Sequence, residues 1–412
     1  MSKTELLVAD VGCLKQIKTI LEQRSAYVRP IGYENGLKVV RTSLAKDDIT
    51  IKHILSQYNG VEMREYKDGT PDICLDRISK FAERFLKING ADSEDIDVLL
   101  KHVPLRYSLY EPVVLFNNSV ERSFLKENWR EALSRPQNKD FMKSMLTQLF
   151  PNFTHVATNR PIVEYDAMRR PFHIESLEGV LFDGQAVQQT WDHPTQQDFK
   201  SSVWCHVVQN GIHQVWSPVF TMFSRGNIKE KKRILDPKSF SDIEGYDVVD
   251  LYAGIGYFTL SYLKRQASRA FCFELNPWST EGLRRGAILN KFTTNCHIFQ
   301  ESNENCLKRL ANYDAVHVRH INLGLLPSSI QGYPWALEIV ERYGVSPVTT
   351  LHIHENIHVN DIASGQFSRN VLRHLQEVKP QFKYTLTHLE KVKTFAPDVW
   401  HCVLDVDVAH NK

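Results

Sequence analysis

No stretch of this 412-residue chain approaches the ~20 consecutive apolar residues that cross a bilayer. The opening MSKTELLVADVG also lacks the charged start and long apolar run of a secretory signal. The two absences lead to the expectation of a soluble, cytoplasmic protein with no membrane partner. The seven cysteines, at 13, 74, 205, 272, 296, 306 and 402, form no CxxC pair. A disulfide framework and a zinc-ribbon spacing are thereby disfavoured, and no metal is expected. Without a signal peptide, the N-x-S/T sequons at Asn117 and Asn152 read as chance matches. Internal repeats and low-complexity tracts are absent. An excess of one charge is missing too: 50 Lys and Arg face 48 Asp and Glu, for a net charge of +2. Composition alone therefore does not declare nucleic-acid binding.

What the chain does have is enough apolar material for real cores, 42% of residues, in a length that suits two or three domains. Residues 1–150 read as an α/β domain. LKQIKTILEQ (14–23) and SFLKENWREAL (123–133) carry helical spacing, and EPVVLFN (111–117) is a strand candidate. Residues 151–235 read as a small β-rich module with a linking helix. Its short runs FTHVATN, GVLFDG, VWCHVVQNG and HQVWSPVFTMF are broken by turn residues. Asn210-Gly211 signals a type I′ hairpin. Ser224 or Asn227 is positioned to cap the linking helix, whose first turn holds Glu230. Residues 236–412 alternate strand and helix, the pattern of a parallel sheet covered on both faces.

The chemistry concentrates in VVDLYAGIGYFTL (248–260). A buried strand ends at Asp250, and Ala253, Gly254 and Gly256 form a tight turn that lets backbone approach a ligand. A helix is expected from Tyr257. This is the first strand–turn–helix of a Rossmann-like nucleotide fold, whose ligands sit beyond the carboxyl ends of the strands. Glu274 closes the second strand, 24 residues after Asp250, near the offset at which an acid meets a ribose diol. The third strand ends in FQESN (299–303), the adenine side of such folds. Thr259 occupies the third small-residue position of the dinucleotide fingerprint, which disfavours NAD. A phosphate-free nucleoside such as S-adenosylmethionine needs no longer glycine loop, so it is the expected ligand.

Basic residues gather at Lys229, Lys231, Lys232 and Arg233, and in the doublets Arg169-Arg170 and Arg284-Arg285. Each alone is a solvated face; the 229–233 cluster and Arg169-Arg170 together are expected to meet RNA phosphates. His352, His354 and His358 alternate along one run without a completing carboxylate cluster, so they read as strand histidines rather than metal ligands.

In order along the chain, VQNGI, MFSRGNIKEK, DLYAGIGYFTL, CFELNPW and INLGLLPSS resemble the wybutosine-synthesising aminocarboxypropyl transferases of tRNA, fungal type. Their sister family is the tRNA guanine-N1 methyltransferases. THVATNRPI (154–162) and LYEPVVLF (109–116) also fit, and the resemblance runs from about 104 to 360. It implies a C-terminal class I methyltransferase fold and transfer of the 3-amino-3-carboxypropyl group of S-adenosylmethionine to carbon-7 of 4-demethylwyosine in tRNA-Phe, with release of 5′-methylthioadenosine. It implies cofactor contacts at Ser224, Lys231, Glu274, Ser302 and Asn303, to which the motif turn itself adds Asp250, Gly254 and Gly256 as expected contacts. Where base methyltransferases carry a rigid [N/D/S]-P-P-aromatic turn, this chain has Asn322-Leu323-Gly324-Leu325-Leu326-Pro327. That departure disfavours plain methylation and leaves Asn322 to position the acceptor; no general base is assigned. The competing readings are a tRNA guanine-N1 methyltransferase and a non-catalytic RNA-binding protein with a vestigial cofactor fold. A monomer is compatible with the sequence.

Overall fold

A computed structural model describes residues 3–10, 12–24, 26–34, 37–66, 77–159, 174–184, 190–240 and 242–410. Arg169-Arg170, Cys74 and the end of THVATNRPI lie outside them. The chain forms two compact units, one of residues 1–106 with 117–151, the other of 107–116 with 152–412.

The first unit begins as β-α-β-β-α-β. Strands β1 (Lys3–Val8), β2 (Tyr27–Glu34), β3 (Leu37–Thr42) and β4 (Val61–Tyr66) pair antiparallel in the order β2-β3-β1-β4. Helices Leu14–Gln23 and Ile49–Gln57 bury Ile17, Leu21, Ile51 and Ile54 on one core. The helical spacing of 14–23 is realised as read. Glu5 is fully buried between Arg41 at 2.7 Å and Arg64 at 2.6 Å, one from each flanking strand. Helices Arg77–Ile88, Ser93–His102, Glu127–Ser134 and Phe141–Leu149 complete this unit. Trp129 and Phe141 centre an aromatic cluster there, and Trp129 Nε1 donates to the Leu99 carbonyl at 3.0 Å. The second expected helix starts only at Glu127, because Ser123 turns its hydroxyl to the Leu125 amide.

The second unit starts with a four-stranded sheet, β5 (Tyr107–Tyr110), β6 (Val113–Asn117), β7 (His155–Asn159) and β8 (Glu175–Glu178), in chain order, with β5–β6 and β7–β8 antiparallel. The hairpin of β9 (Cys205–Gln209) and β10 (Ile212–Trp216) follows. Asn210 and Gly211 have φ of 54° and 68°, the double positive that a type I′ turn requires. Seven further strands form one sheet: β11 (Asp247–Asp250), β12 (Arg269–Phe273), β13 (Cys296–Phe299), β14 (Val318–Leu323), β15 (Thr349–His358), β16 (Phe382–Ala396) and β17 (Val399–His410). Their order is β13-β12-β11-β14-β15-β17-β16; the first five run parallel, and β17 pairs antiparallel with both β15 and β16. After β13 the chain returns to the other side of β11, which places the topological switch between β11 and β14. The sheet's hydrophobic core runs from Val249 and Phe271 through Ile321 and Leu351 to Leu404.

The β9–β10 hairpin is welded to the parallel sheet rather than standing as a separate module. Helix Pro277–Leu289 starts at Asn276, whose side chain accepts from the Trp278 amide, with proline in the first turn where no N–H is missed. Asn290, just past the helix end, pairs both ways with the backbone of His213: its Oδ1 accepts at 3.0 Å and its Nδ2 donates at 2.7 Å. Lys264 Nζ donates to the Asn210 and Gly211 carbonyls at 2.9 Å. Between these anchors Gly282 presses onto β10, so that an added Cβ would lie 2.6 Å from the Val215 carbonyl oxygen. Backbone cannot yield there. Gly282→Ala is therefore expected to lower stability by about 1–3 kcal/mol, read as a fall in the urea midpoint. An unchanged midpoint would mean that helix and hairpin separate freely.

Candidate active site

The motif turn is built on Asp250, the last residue of β11. Its carboxylate is completely buried, and Thr259 Oγ1 donates to it at 2.7 Å and Asn322 Nδ2 at 3.0 Å. Burial raises its pKa above the usual carboxylate range, against the pull of these donors. Sealed beneath the turn at 0% exposure, Asp250 braces the site where a ligand contact was expected. Thr259, which breaks the dinucleotide pattern, is the first residue of helix Thr259–Lys264 and supplies one of the braces. The helix starts two residues later than the pattern suggested, because Gly254 (φ 55°) and Gly256 (φ 81°) extend the turn. A Cβ on Gly256 would sit 2.4 Å from Leu283 Cδ1, so close packing as well as φ demands glycine.

Glu274 lies half-buried just past β12. Its Oε2 accepts from the Gly254 amide and its Oε1 from the Asn276 amide, both at 2.8 Å. Burial raises its pKa while these N–H groups lower it. An ionised carboxylate offers about four acceptor sites, so one per oxygen remains for a pair of hydroxyls. After β13, Ser302 Oγ accepts from the Glu304 amide at 3.3 Å, and Asn303 Nδ2 donates to the Leu251 carbonyl at 3.1 Å. Asn303 thus ties the turn after β13 to the end of β11. Gly254, Gly256, Glu274, Ser302 and Asn303 are brought together at the carboxyl edge of the sheet.

Asn322 behaves differently from expectation. Its side chain is 1% exposed; Nδ2 donates to Asp250 and Oδ1 receives His354 Nε2 at 3.2 Å. Buried and held at both amide atoms, it acts as a strut between Asp250 and His354. His352 and His354 share the buried face of β15: His352 Nδ1 lies 2.7 Å from Asp405 Oδ1, and His354 Nδ1 lies 3.0 Å from His401 Nε2. His358 is exposed and caps the helix that follows, with Nδ1 accepting from Asn360. Among the described residues, no group of three His, Cys, Asp or Glu could hold a metal ion. Among the described residues, no helix is long and apolar enough to cross a membrane.

The basic cluster is taken apart by helix Ile228–Leu235. Arg233 is buried in paired bonds with Glu230 and Asp405. Lys229 pairs with Glu390, and Lys232 stays on the exposed face. Lys231 points inward at 2% exposure. Its ammonium donates to Gln209 Oε1 at 2.9 Å and to Gln214 Oε1 at 2.5 Å, and lies 5.1 Å from the Phe223 ring and 5.2 Å from that of Tyr257. It makes no ion pair among the described residues. Ser224 does not cap this helix, and neither does Asn227. Instead the Ser224 amide donates to the Tyr257 hydroxyl at 3.2 Å, its Oγ donates to Asn227 Oδ1 at 3.3 Å, and Lys393 Nζ donates to that Oγ at 2.8 Å. Tyr257, in turn, would touch a Cβ on Gly254 at 3.2 Å, so one aromatic ring joins the glycine turn to the Ser224–Lys231 corner. Sequence reading missed Lys393, Gln209, Gln214 and the bridging role of Tyr257. Tyr257 and the glutamines stand in or beside quoted motifs, whereas Lys393 carries no local signal.

Burial, with the charge of Lys393 adding to it, depresses the Lys231 ammonium from the lysine range to about 7. The unfolded chain holds that proton to ~10.4, so between the two values the unfolded state binds more protons. Stability is therefore expected to rise with pH across that window, by at most about 1.4 kcal/mol per unit from this group. Lys231→Met should flatten the rise in urea titrations between pH 7 and 10, whatever it does to stability at any one pH. An unaltered slope would place the ammonium in water.

A family model described as TRM5/TYW2 methyltransferase domain matches residues 206–345. The chain is 43% identical to tRNA wybutosine-synthesizing protein 2 of Saccharomyces cerevisiae, with 98% of this chain and 97% of that protein aligned. It is 34% identical to the protein of that name from Schizosaccharomyces pombe, over 95% and 97%. In overall structure it is similar to P. horikoshii TYW2 in complex with MeSAdo (TM-score 0.53, 19% identity, 80% of this chain and 99% of that one). It is similar as well to the M. jannaschii tRNA m1G37 methyltransferase (TM-score 0.50, 17% identity, 99% and 100%), a likeness of fold. The expected Rossmann-like methyltransferase fold is thus present, and with near-complete coverage at these identities the chain belongs to the tRNA wybutosine-synthesizing protein 2 family.

Proposed function

We propose that this protein transfers the 3-amino-3-carboxypropyl group of S-adenosylmethionine to carbon-7 of 4-demethylwyosine beside the anticodon of tRNA-Phe, releasing 5′-methylthioadenosine. Family membership makes it an S-adenosylmethionine-dependent, tRNA-modifying transferase; the transferred group, tRNA-Phe, a cytoplasmic location and a monomeric state belong to the proposal. The observation that carries it is the buried ammonium of Lys231, without an anionic partner among the described residues and touching the ring of Tyr257 from the cofactor turn. A ligand arm ending in a carboxylate supplies the missing anion.

The residues present fit that ligand. Glu274 keeps one acceptor site on each oxygen for the ribose hydroxyls, while Gly254 and Gly256 hold the backbone open beside it. Ser302 and Asn303 stand at the adenine end. Ser224 and Lys231 stand at the other, across Tyr257. S-adenosylmethionine, when bound, supplies a sulfonium that departs as a neutral thioether, so no acid is needed to help it leave. What the chain must do is choose which carbon on sulfur meets the acceptor. It does so by fixing both ends of the ligand, since reactivity follows from the atom held ~3–3.5 Å from the nucleophile and in line. The Asn322–Pro327 segment supports the choice. It lacks the rigid Pro-Pro turn that presents a nitrogen to the methyl group, and Asn322 is consumed in holding Asp250.

Two measurements test the reading. With tRNA-Phe bearing 4-demethylwyosine, label in the amino-acid arm should enter the tRNA and 5′-methylthioadenosine should accumulate. Label entering from the methyl group, with S-adenosylhomocysteine as product, would transfer the protein to the methyltransferase reading; no transfer at all would favour an RNA-binding protein. Glu274→Ala should weaken S-adenosylmethionine binding by about 1.5–3 kcal/mol in calorimetry, the loss expected for charge-assisted hydrogen bonds. Unchanged affinity would remove Glu274 from the site.

A further inference from the structure

The loop that follows β14 leaves the sheet at the switch beside β11, the edge at which ligands of such sheets bind. Its first residue, Gly324, lies against the motif turn: a Cβ there would be 3.1 Å from Asn322 Nδ2 and 3.6 Å from the Tyr252 carbonyl oxygen. Further on, the loop comes back to the sheet and pairs with the end of β15. Ser328 and Glu355 form an antiparallel bridge, and the Asn356 amide donates to the Pro327 carbonyl at 2.9 Å.

Glu355 clamps that return. It is 3% exposed, and one oxygen of its carboxylate gathers donors from three successive points of the chain. Oε1 accepts from Ser328 Oγ at 3.0 Å, from the Ser329 amide at 3.1 Å and from the Tyr333 hydroxyl at 3.1 Å, with Ser329 Oγ at 3.5 Å. Burial raises the pKa of this carboxyl, and the same donors pull it back. Tyr333, 1% exposed, opens helix Tyr333–Tyr343. Burial and the facing Glu355 lift its phenol far above the usual range, so it stays a donor. One residue earlier, a Cβ on Gly332 would lie 3.0 Å from the Tyr252 hydroxyl, which also pairs with the Asn303 side chain. The clamped segment therefore abuts the motif turn and, through Tyr252, the turn after β13.

We propose that Glu355 is a positioning residue for the transfer: by clamping residues 328–333 it holds the loop after β14 as a fixed wall of the crevice, against which the acceptor base is placed. The proposal rests on S-adenosylmethionine-dependent transfer to a tRNA base being the reaction. The Asn322–Pro327 segment has no Pro-Pro turn to stiffen it, and Asn322, expected to position the acceptor, is a strut. Charge-assisted bonds to a buried carboxylate supply the stiffness instead, and they are the strong kind. Glu355 acts on the reaction indirectly, through Ser328, Ser329 and Tyr333. A shift of about 1 Å in such a wall is enough to cost up to ~10²-fold in rate with the cofactor still bound.

Single-turnover transfer at saturating S-adenosylmethionine and tRNA, beside calorimetry for S-adenosylmethionine, reads the effect in the full-length protein. Glu355→Ala should slow transfer about tenfold or more and leave affinity for S-adenosylmethionine unchanged. Glu355→Gln keeps an oxygen for the same donors and should recover most of the rate. Ser328→Ala and Tyr333→Phe each remove one donor with little risk to folding. Each should slow transfer several-fold at unchanged affinity, which keeps the test decisive where Glu355→Ala folds poorly. A lower urea midpoint with wild-type transfer in these variants would reduce the clamp to a structural part and overturn the proposal. So would a fall in cofactor affinity that matches the fall in rate, or a loss confined to tRNA affinity. A folded Glu355→Gln as slow as Glu355→Ala would also overturn it, because the charge itself would then act on the substrate. Absence of any transfer by the wild-type protein would sink the underlying reaction, and the proposal with it.

Discussion

The site depends on one buried carboxylate. Asp250 ends the first parallel strand at a point where three pieces of chain must be held in register: the glycine turn, the helix after it and the strand β14 on the far side of the switch. Thr259 and Asn322 each donate a hydrogen bond to it, so one side chain fixes all three. A buried acid without such donors would be costly, and burial does raise its pKa. The donors offset that cost and make geometry out of it. Loss of either would leave a buried polar group unsatisfied and release the turn that Glu274 grips from above.

The same polar thread continues into the sheet and determines its own proton positions. Asn322 gives its N–H to Asp250, so its oxygen must receive a proton from His354 Nε2. His354 Nδ1 is then an acceptor, and His401 Nε2 is the donor to it. His401 Nδ1 is left as a buried nitrogen with no partner among the described residues. Both rings are neutral, as burial requires: the pKa of His354 is depressed well below the histidine range and that of His401 to about 3. A second buried chain runs from His320 through His352 and Asp405 to Arg233 and Glu230. There the charges are paired in bidentate contacts, and Asp405 is held well below the usual carboxylate range. These two threads fasten the antiparallel hairpin β16–β17 and helix Ile228–Leu235 to the parallel sheet, which puts Lys393 and Lys231 at one corner.

Much of this was legible in the chain. The strand–turn–helix at 248–260, the acid at 274, the turn after the third strand and the hairpin at Asn210-Gly211 are local patterns, dictated by glycine conformation, strand length and positive φ. They appear where the periodicity places them, and the family resemblance rests on the same residues. Helix Leu14–Gln23 was legible for the same reason. Charge was the poorest guide. The run Lys229 to Arg233 looks like a basic patch in sequence, but successive residues on a helix face different ways. One member pairs at the surface, one stays exposed, one enters a buried carboxylate network and one is buried among glutamines and aromatic rings.

The sequence by itself determined the fold class, the glycine turn after the first parallel strand and the acid that follows the second, because those are properties of short segments with fixed backbone requirements. Only the tertiary structure decided what those side chains do. It turned Asp250 and Asn322 from presumed contacts into struts, buried Lys231, and brought Lys393 onto Ser224 from 169 residues away. Burial and long-range pairing are set by how the elements pack, and a desolvated charge or a shared hydroxyl exists only once that packing is complete.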